Sequence, residues 1–177
     1  QSLIAERWIG RSAAAALKSA VNGKTVYHTH SDGIDFAEAL HHARTTGGPA
    51  LLALDFQQRA ARLKALASYL IEHKEKLYPI SAHTGATRAD GWVDIEGGAG
   101  TLFAYASVGA GELPSGNVVH EGPAMPLGKK GGFAGTHILV PRGGVAVHIN
   151  AFNFPVWGLL EKLAPSFLAG MPCIAKP

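Results

Sequence analysis

The segment 144–177 constrains the fold of this chain most, because it combines a strand, a helix and a second strand in close succession. Apolar Val145, Val147 and Ile149 alternate along a run with almost no charge, which predicts a strand buried on both faces. Residues 171–175 form a second short apolar run. A strand, a crossover helix and another strand form a right-handed parallel unit in nearly all proteins, so both strands are expected to point the same way.

The residues between the two runs predict the crossover helix. Pro155 suits the first helical turn, because its fixed φ fits there and its missing N–H is not needed. Gly170 is placed as a helix-ending glycine, and Pro165 is expected to kink the helix or end it early. Apolar residues recur at helical spacing between these points, at Leu159, Leu160, Leu163 and Phe167.

Two polar residues follow the ends of the predicted strands. Asn153 comes just after the first strand, and Lys176 ends the second. Because the carboxyl ends of parallel strands share the sheet edge where open α/β sheets bind ligands, both side chains could face one bound molecule. Asn153 can donate two hydrogen bonds and Lys176 three with a charge, which suits an oxyanion and a ribose or phosphate. A cap or turn role for Asn153 and a merely solvated Lys176 remain open.

The composition is that of a globular protein. The 177 residues are 47% hydrophobic and 16% charged, enough for a sizeable core in a single domain. The formal charge of +3 and the pI near 9.1 are mild, and Lys and Arg are scattered, so no nucleic-acid partner is expected. One cysteine excludes an internal disulfide framework and fits a reducing cytoplasm. No membrane association is expected, because no run approaches a membrane span and the first residues do not resemble a signal peptide.

Periodicity and turn signals predict further elements before residue 144. Asn22-Gly23 is a strong hairpin signal, and Asp32 is available to cap a helix over 34–44. A longer helix from Phe56 is expected to end near Pro79. The other predictions are strands over 3–9, 14–21, 25–29 and 133–140, a helix over 92–110, and a Pro- and Gly-rich excursion over 113–130 with one extended stretch.

Several sharper chemical interpretations fail. No Gly-x-Gly-x-x-Gly motif occurs, and residues 122–129 have the wrong spacing for a phosphate loop. His28 and His30 would share one strand face, but no third ligand of fitting spacing accompanies them, which favours solvated or core histidines over a metal site. Asp94 and Glu96 suggest an acid–base pair, yet residues two apart on a helix do not face each other, so a solvated helix face is expected.

Two stretches carry a resemblance to a known family. The first reads Ala-Phe-Asn-Phe-Pro at 151–155, Glu-Lys-Leu-Ala-Pro at 161–165 and Lys-Pro at 176–177, and it resembles the amino-terminal half of an aldehyde dehydrogenase. The second, TGATRADGWVDIEGG at 84–98, is similar to a narrower branch. That branch contains the aldehyde dehydrogenase half of the bifunctional ring-opening enzyme of phenylacetate degradation, and a relative that acts on a semialdehyde coenzyme A thioester in benzoate degradation. The resemblance runs from about Leu3 to the last residue.

The resemblance implies roles for the asparagine and its neighbours. Asn153 would donate to the aldehyde oxygen as a thiolate attacks the carbonyl, and one such donor is typically worth about 3 kcal/mol of transition-state stabilisation. The implied cofactor is NADP or NAD, with NADP expected for the phenylacetate branch. By this resemblance, Ile149, Asn150, Ala151 and Phe152 would line the nicotinamide and ribose side of the cofactor, and Lys176 would hold its adenine ribose. Phe154 would form a wall of the substrate tunnel, and Gly158 would widen that tunnel. Lys162 matches a lysine near the proton-exit path.

Two departures from the family pattern affect these roles. Many relatives have Pro-Trp where this chain has Ala151-Phe152, so packing against the cofactor should differ in detail. The family's nucleophilic cysteine, general-base glutamate and glycine-bearing cofactor helix lie farther along than Pro177, so this chain alone is expected to be inactive. Cys173 sits inside an apolar run, where a small buried thiol is ordinary packing rather than a nucleophile.

The sequence therefore predicts an α/β fold that is part of a parallel-sheet dinucleotide-binding domain of the aldehyde dehydrogenase type. Residues 1–31 would form a β extension for oligomerisation, and 32–177 the first half of the NAD(P)-binding domain. The full-length enzyme would be a cytoplasmic homo-oligomer that oxidises a small-molecule semialdehyde, expected to be carried on coenzyme A, to its acid. The alternatives are a semialdehyde dehydrogenase of the benzoyl-CoA pathway, a non-catalytic oligomerisation or interaction module, and a different α/β enzyme that shares the strand–helix–strand unit.

Overall fold

The computed structural model describes residues 1–10 and 15–177, which combine short strands with a packed group of helices and confirm the mixed α/β class. Two π-helical turns, Ala43–Gly47 and Val93–Gly97, each continue directly from one α-helix into the next. The strands are β1 (Ser2–Ile4), β2 (Arg7–Ile9), β3 (Ala15–Lys18), β4 (Thr25–Thr29), β5 (Val119–Pro126), β6 (Ala134–Leu139), β7 (Ala146–Ile149) and β8 (Cys173–Lys176). The helices are α1 (Phe36–His42), α2 (Gly48–Leu52), α3 (Phe56–Glu72), α4 (Lys74–Ala82), α5 (Arg88–Trp92), α6 (Gly98–Gly111) and α7 (Trp157–Leu168).

The predicted strand–helix–strand unit is present at 146–176. Strand β7 pairs with β8 in parallel, from Ala146 opposite Cys173 to Ile149 opposite Lys176, and α7 is the crossover helix. Gly170 follows the helix with φ +80°, the left-handed conformation that glycine adopts most easily. Pro165 lies inside α7, which continues to Leu168, so the expected early end of the helix is wrong.

The expectation that β7 is buried on both faces is also wrong. His148 is only 6% exposed, whereas Val147 and Ile149 are 62% and 71% exposed. The two faces differ because α7 covers only the side of β7 that carries His148. On that side the His148 Nε2 lies 3.2 Å from Ser166 Oγ of the helix. Within the described residues β7 pairs only with β8, and the face with Val147 and Ile149 stays open.

The main core lies where α3, α6 and α7 pack together. Helix α3 begins with a capping box in which Asp55 accepts from the Gln58 N–H and the Gln58 side chain accepts from the Asp55 N–H. The predicted end near Pro79 is wrong, because α3 ends at Glu72 and Pro79 belongs to the separate helix α4. The buried residues of this core are Phe56, Ala60, Leu63, Ala67, Leu102, Ala106, Leu160, Ala164 and Leu168.

Arg59 ties this core to the chain around it. Its guanidinium is fully buried, and it donates to the carbonyl of Leu168 at the end of α7 (2.9 Å). It also donates to the carbonyls of Leu51 (3.0 Å) and Leu54 (2.6 Å) in the segment before α3. Burial lowers the pKa of Arg59, and nearby Asp55 opposes that shift. The Arg59 side chain therefore links the first turns of α3 to the end of α2 and the end of α7.

Residues 1–10 and 15–30 form two hairpins, with two corrections to the predicted strands. Residues 3–9 are not one strand, because Ala5 and Glu6 take positive φ and turn the chain between β1 and β2. Strand 25–29 and the turn at Asn22-Gly23 are confirmed, and Gly23 has φ +69°. The strand predicted over 14–21 is shorter, Ala15–Lys18, and Ala14 falls outside the described residues. Asp35, not Asp32, caps α1 by accepting from the Glu38 N–H.

The middle of the chain contains the helix predicted over 92–110, which starts earlier than expected. Thr87 and Asp90 form a capping box at the start of α5, and the chain stays helical from there through the π turn to Gly111. The predicted extended stretch and the strand over 133–140 are present as the antiparallel pair β5 and β6. Among the helices of the described ranges, none is long and apolar enough to cross a bilayer.

Candidate functional site at the β7–β8 edge

The carboxyl ends of β7 and β8 are held together by Asn150. Its backbone N–H donates to the Lys176 carbonyl (3.1 Å), and its side-chain Nδ2 lies 3.3 Å from the same oxygen. Asn150 is 8% exposed, and its Oδ1 is buried with no hydrogen-bond partner among the described residues. The edge therefore has a fixed register, and the Asn150 Oδ1 is a buried polar atom left without a partner there.

The structure brings most of the predicted site residues to this edge. Ile149 lies opposite Lys176 in the parallel register. Asn153 lies in the turn between β7 and α7, and its side chain is exposed, as are those of Ala151, Phe152 and Lys176. Asn153 therefore follows β7, and Lys176 is the last residue of the neighbouring parallel strand β8.

Gly158 and Phe154 lie just behind this turn and are half-buried. A β carbon on Gly158 would lie 3.8 Å from both Cβ and Oδ1 of Asn150, an ordinary contact distance. A β carbon at position 158 would therefore meet no clash with Asn150.

Lys162 points back along α7 instead of across the edge. Its Nζ donates to the Gly158 carbonyl (2.6 Å) and pairs with Glu161 (3.1 Å). Burial lowers the pKa of nearby His148, and the positive charge of Lys162 adds to that effect. This corner of the site thus favours a neutral imidazole beside a charged lysine.

Asp94 is a residue of the site that sequence analysis missed. The predicted solvated face is wrong for it, because Asp94 is 1% exposed and its Oδ1 accepts from the backbone N–H groups of Val156 (3.1 Å) and Trp157 (2.8 Å). Burial raises the pKa of Asp94, and these two hydrogen bonds oppose the rise. The Glu96 carboxylate accepts hydrogen bonds from Tyr78 (2.8 Å) and Lys74 (3.0 Å), and these bonds hold its pKa below the usual range.

The signal that could have identified Asp94 is the glycine pair that follows it. A β carbon on Gly97 would lie 2.7 Å from Cζ3 of the Trp157 ring, and one on Gly98 would lie 3.0 Å from Trp157 Cα. Two adjacent glycines inside a helix indicate that another element packs closely there. That element is the first turn of α7.

Cys173 occupies a packing position. It lies within β8, opposite Ala146, and burial raises the pKa of its thiol. A raised pKa leaves less thiolate, the reactive form, so the environment suits packing rather than nucleophilic attack.

Two cavities lie elsewhere on the surface. One of about 280 Å³ is lined by residues that include Tyr78, Ser81 and Arg88, and one of about 240 Å³ includes Phe56 and Tyr105. Asn153 and Lys176 line neither cavity. The candidate site at the β7–β8 edge therefore rests on the placement and chemistry of its residues and not on an enclosed pocket. Within residues 1–10 and 15–177, no three His, Cys, Asp or Glu side chains are grouped to hold a metal ion.

Comparison with known proteins identifies related chains. The model of the aldehyde dehydrogenase family matches residues 8–177. A 3,4-dehydroadipyl-CoA semialdehyde dehydrogenase from Aromatoleum evansii is 46% identical over 173 residues, covering 97% of this chain and 33% of the relative. A crystal structure of an NADP-dependent enzyme from E. coli superposes with a TM-score of 0.80 at 22% identity, over 100% of this chain and 35% of that one. The chain thus spans about a third of the length of these relatives.

Proposed function

The chain belongs to the aldehyde dehydrogenase family, and from that premise we propose that the β7–β8 edge serves an NAD(P)-dependent oxidation of an aldehyde to its acid. The observation that carries the proposal is the placement of Asn153 and Lys176 after neighbouring parallel strands whose register Asn150 fixes. Ligands bind at such an edge in open α/β sheets.

Asn153 is the proposed catalytic residue. Its exposed carboxamide lies in the turn before α7, where it is free to donate to an aldehyde oxygen. When a thiolate attacks the carbonyl carbon, the C=O π electrons move onto oxygen, and a donor fixed in place stabilises that negative charge. The thiolate and the base that activates water for thioester hydrolysis would come from the remainder of the full-length protein.

A nicotinamide dinucleotide suits the other groups on the edge. The exposed ammonium of Lys176 can donate to ribose hydroxyls or phosphate. Ile149, Ala151 and Phe152 offer backbone groups and exposed apolar surface on the same edge. The cofactor, NADP or NAD, would accept the hydride that leaves the former aldehyde carbon.

The proposed substrate is a semialdehyde carried on coenzyme A. The 46% identical relative acts on 3,4-dehydroadipyl-CoA semialdehyde by its name, and the motif at 84–98 resembles the same branch. This support favours the benzoate-type substrate over the ring-opened phenylacetate product. Gly158 fits a large substrate, since it leaves space beside Asn150.

A second proposed role is assembly of a homo-oligomer through the β1–β2 and β3–β4 hairpins. Trp8, Val21 and Tyr27 are exposed there, and large exposed apolar side chains are typical of interaction surfaces. Sedimentation of the full-length protein with and without Trp8→Ser tests this role: a shift to smaller species supports it, and an unchanged distribution contradicts it.

Replacing Asn153 by Ala in the full-length protein tests the catalytic proposal. We expect kcat for aldehyde oxidation to fall by about a hundredfold while the protein stays folded, because one oxyanion donor is lost. Asn22→Ala is the matched control, since it removes a carboxamide from a remote hairpin turn. An unchanged kcat in Asn153→Ala would mean that Asn153 does not hold the oxyanion.

A further inference from the structure

Helix α7 begins without a cap of its own. Val156, the residue before its first turn, has no polar side chain, and no side-chain hydrogen bond caps the helix from that position. The first N–H groups of a helix need acceptors from outside the helix. Asp94 is the acceptor, from sixty-two residues earlier in the chain.

The contact is rigid on both sides. Asp94 is buried in the π-helical turn Val93–Gly97 that leads into α6, and its carboxylate accepts from the N–H groups of both Val156 and Trp157. Gly97 and Gly98 let Trp157 lie directly against the same segment, where any β carbon would press on the Trp157 ring or backbone. The start of α7 therefore has one position relative to the helical core.

The turn that carries Asn153 spans the gap between two such fixed points. On one side, Asn150 is bonded to the Lys176 carbonyl across the end of the sheet. On the other side, three residues after Asn153, the chain is bonded to Asp94. Releasing either end would let the carboxamide of Asn153 move.

We propose that Asp94 is a positioning residue for catalysis, which fixes the turn 151–156 so that Asn153 meets the aldehyde oxygen. This inference rests on the proposed oxyanion role of Asn153. Displacement of a catalytic group by about 1 Å lowers rates by about a hundredfold, so the loss of the Asp94 contact acts on kcat. Binding of the cofactor is expected to change little, because it depends mainly on Lys176 and Ile149, which lie outside this turn.

The test compares Asp94→Asn, Asn153→Ala and the double variant in the full-length protein. Asp94→Asn keeps the size of the side chain, but it puts an NH2 donor where Oδ2 lies 3.4 Å from the Val156 N–H and removes the charge that strengthens the two hydrogen bonds to Oδ1. We expect kcat to fall by about tenfold, with the cofactor dissociation constant within about twofold of the parent's. In the double variant, kcat should match that of Asn153→Ala alone within about twofold, because Asp94 acts through Asn153.

Glu96→Gln is the matched control, because Glu96 lies on the same turn but contacts Tyr78 and Lys74 instead of α7. A second variant, Gly98→Ala, displaces the start of α7 without altering Asp94. If Asp94→Asn does not fold, Gly98→Ala takes its place in the comparison with Asn153→Ala and the double variant. An unchanged kcat in the variant, or losses that multiply in the double variant, would overturn the positioning role. If Asn153→Ala itself keeps full kcat, the proposed function fails first, and the two failures are thereby distinguished.

Discussion

Asn150 and Lys176 share a single carbonyl oxygen: the backbone and the side chain of Asn150 both approach the Lys176 carbonyl, at 3.1 and 3.3 Å. This double contact closes the parallel pair at its carboxyl end. The Lys176 backbone is therefore held while its ammonium remains exposed, which is the arrangement that a ligand-binding lysine needs. The buried Asn150 Oδ1 faces the side on which Gly158 leaves space.

Gly158→Met is expected to discriminate against large substrates. The site has room for a β carbon, 3.8 Å from Asn150, so the variant should fold, but the longer side chain would fill the open space. We expect kcat/KM for a coenzyme A-linked semialdehyde to fall by about tenfold. Steady-state kinetics on a small unlinked aldehyde is the internal control, with a change below about threefold. Equal losses on both substrates would show that Gly158 does not set substrate size.

Gly109→Ala is expected to destabilise the three-helix core. A β carbon there would lie 2.6 Å from Leu168 Cδ1 and 2.8 Å from Ala60 Cβ, so α6 would have to move away from α3 and α7. We expect the free energy of unfolding to fall by about 2 kcal/mol, measured by urea denaturation. Gly100→Ala in the same helix meets no atom within 4 Å and should raise it by up to about 1 kcal/mol. If both variants change stability alike, the close approach of the helices at Gly109 is wrong.

Arg59→Met is expected to destabilise the protein by about 3 kcal/mol, because the buried carbonyls of Leu51, Leu54 and Leu168 lose their donor. Methionine replaces much of the apolar stem, so the loss reports on the hydrogen bonds. Arg62→Met, on an exposed position of the same helix, should change the free energy of unfolding by less than about 0.5 kcal/mol. Thermal or urea unfolding measures the stability of both variants. An unchanged free energy of unfolding in Arg59→Met would show that these hydrogen bonds between α3 and α7 do not stabilise the fold.

His148 is expected to make stability fall in mild acid. Burial and the nearby Lys162 lower its pKa below the ordinary 6.5, so as the pH drops the unfolded chain takes up this proton before the folded one does. The contribution is fully present above pH 6.5 and is lost as the pH falls toward the lowered value.

Urea denaturation at about pH 7.5 and about pH 5.5 measures this effect. His148→Gln does not titrate and should lose less stability across that interval than the parent does. His41→Gln, on an exposed position of α1, is the control and should behave like the parent. A pH dependence identical in the parent and in His148→Gln would contradict the shift.

Some elements could be predicted from short sequence patterns alone. The turn at Asn22-Gly23 and the strand Thr25–Thr29 follow from turn chemistry, and the parallel pairing of β7 with β8 follows from the handedness of crossovers. The placement of Asn153 and Lys176 on one edge follows from that pairing alone. The resemblance to the aldehyde dehydrogenase family was confirmed by the family match.

The features that sequence analysis missed depend on distant partners. The solvated face expected for Asp94 came from considering one helix, whereas its burial comes from α7, more than sixty residues away. The turn at Ala5 and Glu6 was missed because residues other than glycine seldom adopt positive φ. The open side of β7 was missed because an uncharged run does not reveal whether one layer or two covers a strand.

That open side affects how the polypeptide behaves in solution. Val147 and Ile149 present branched aliphatic groups to water on one face of a short parallel pair, and exposed apolar surface of this kind favours association between molecules. Production of residues 1–177 without further sequence should accordingly give material that binds hydrophobic dyes and precipitates on concentration. Biochemical work on this edge needs a polypeptide in which those aliphatic groups are shielded.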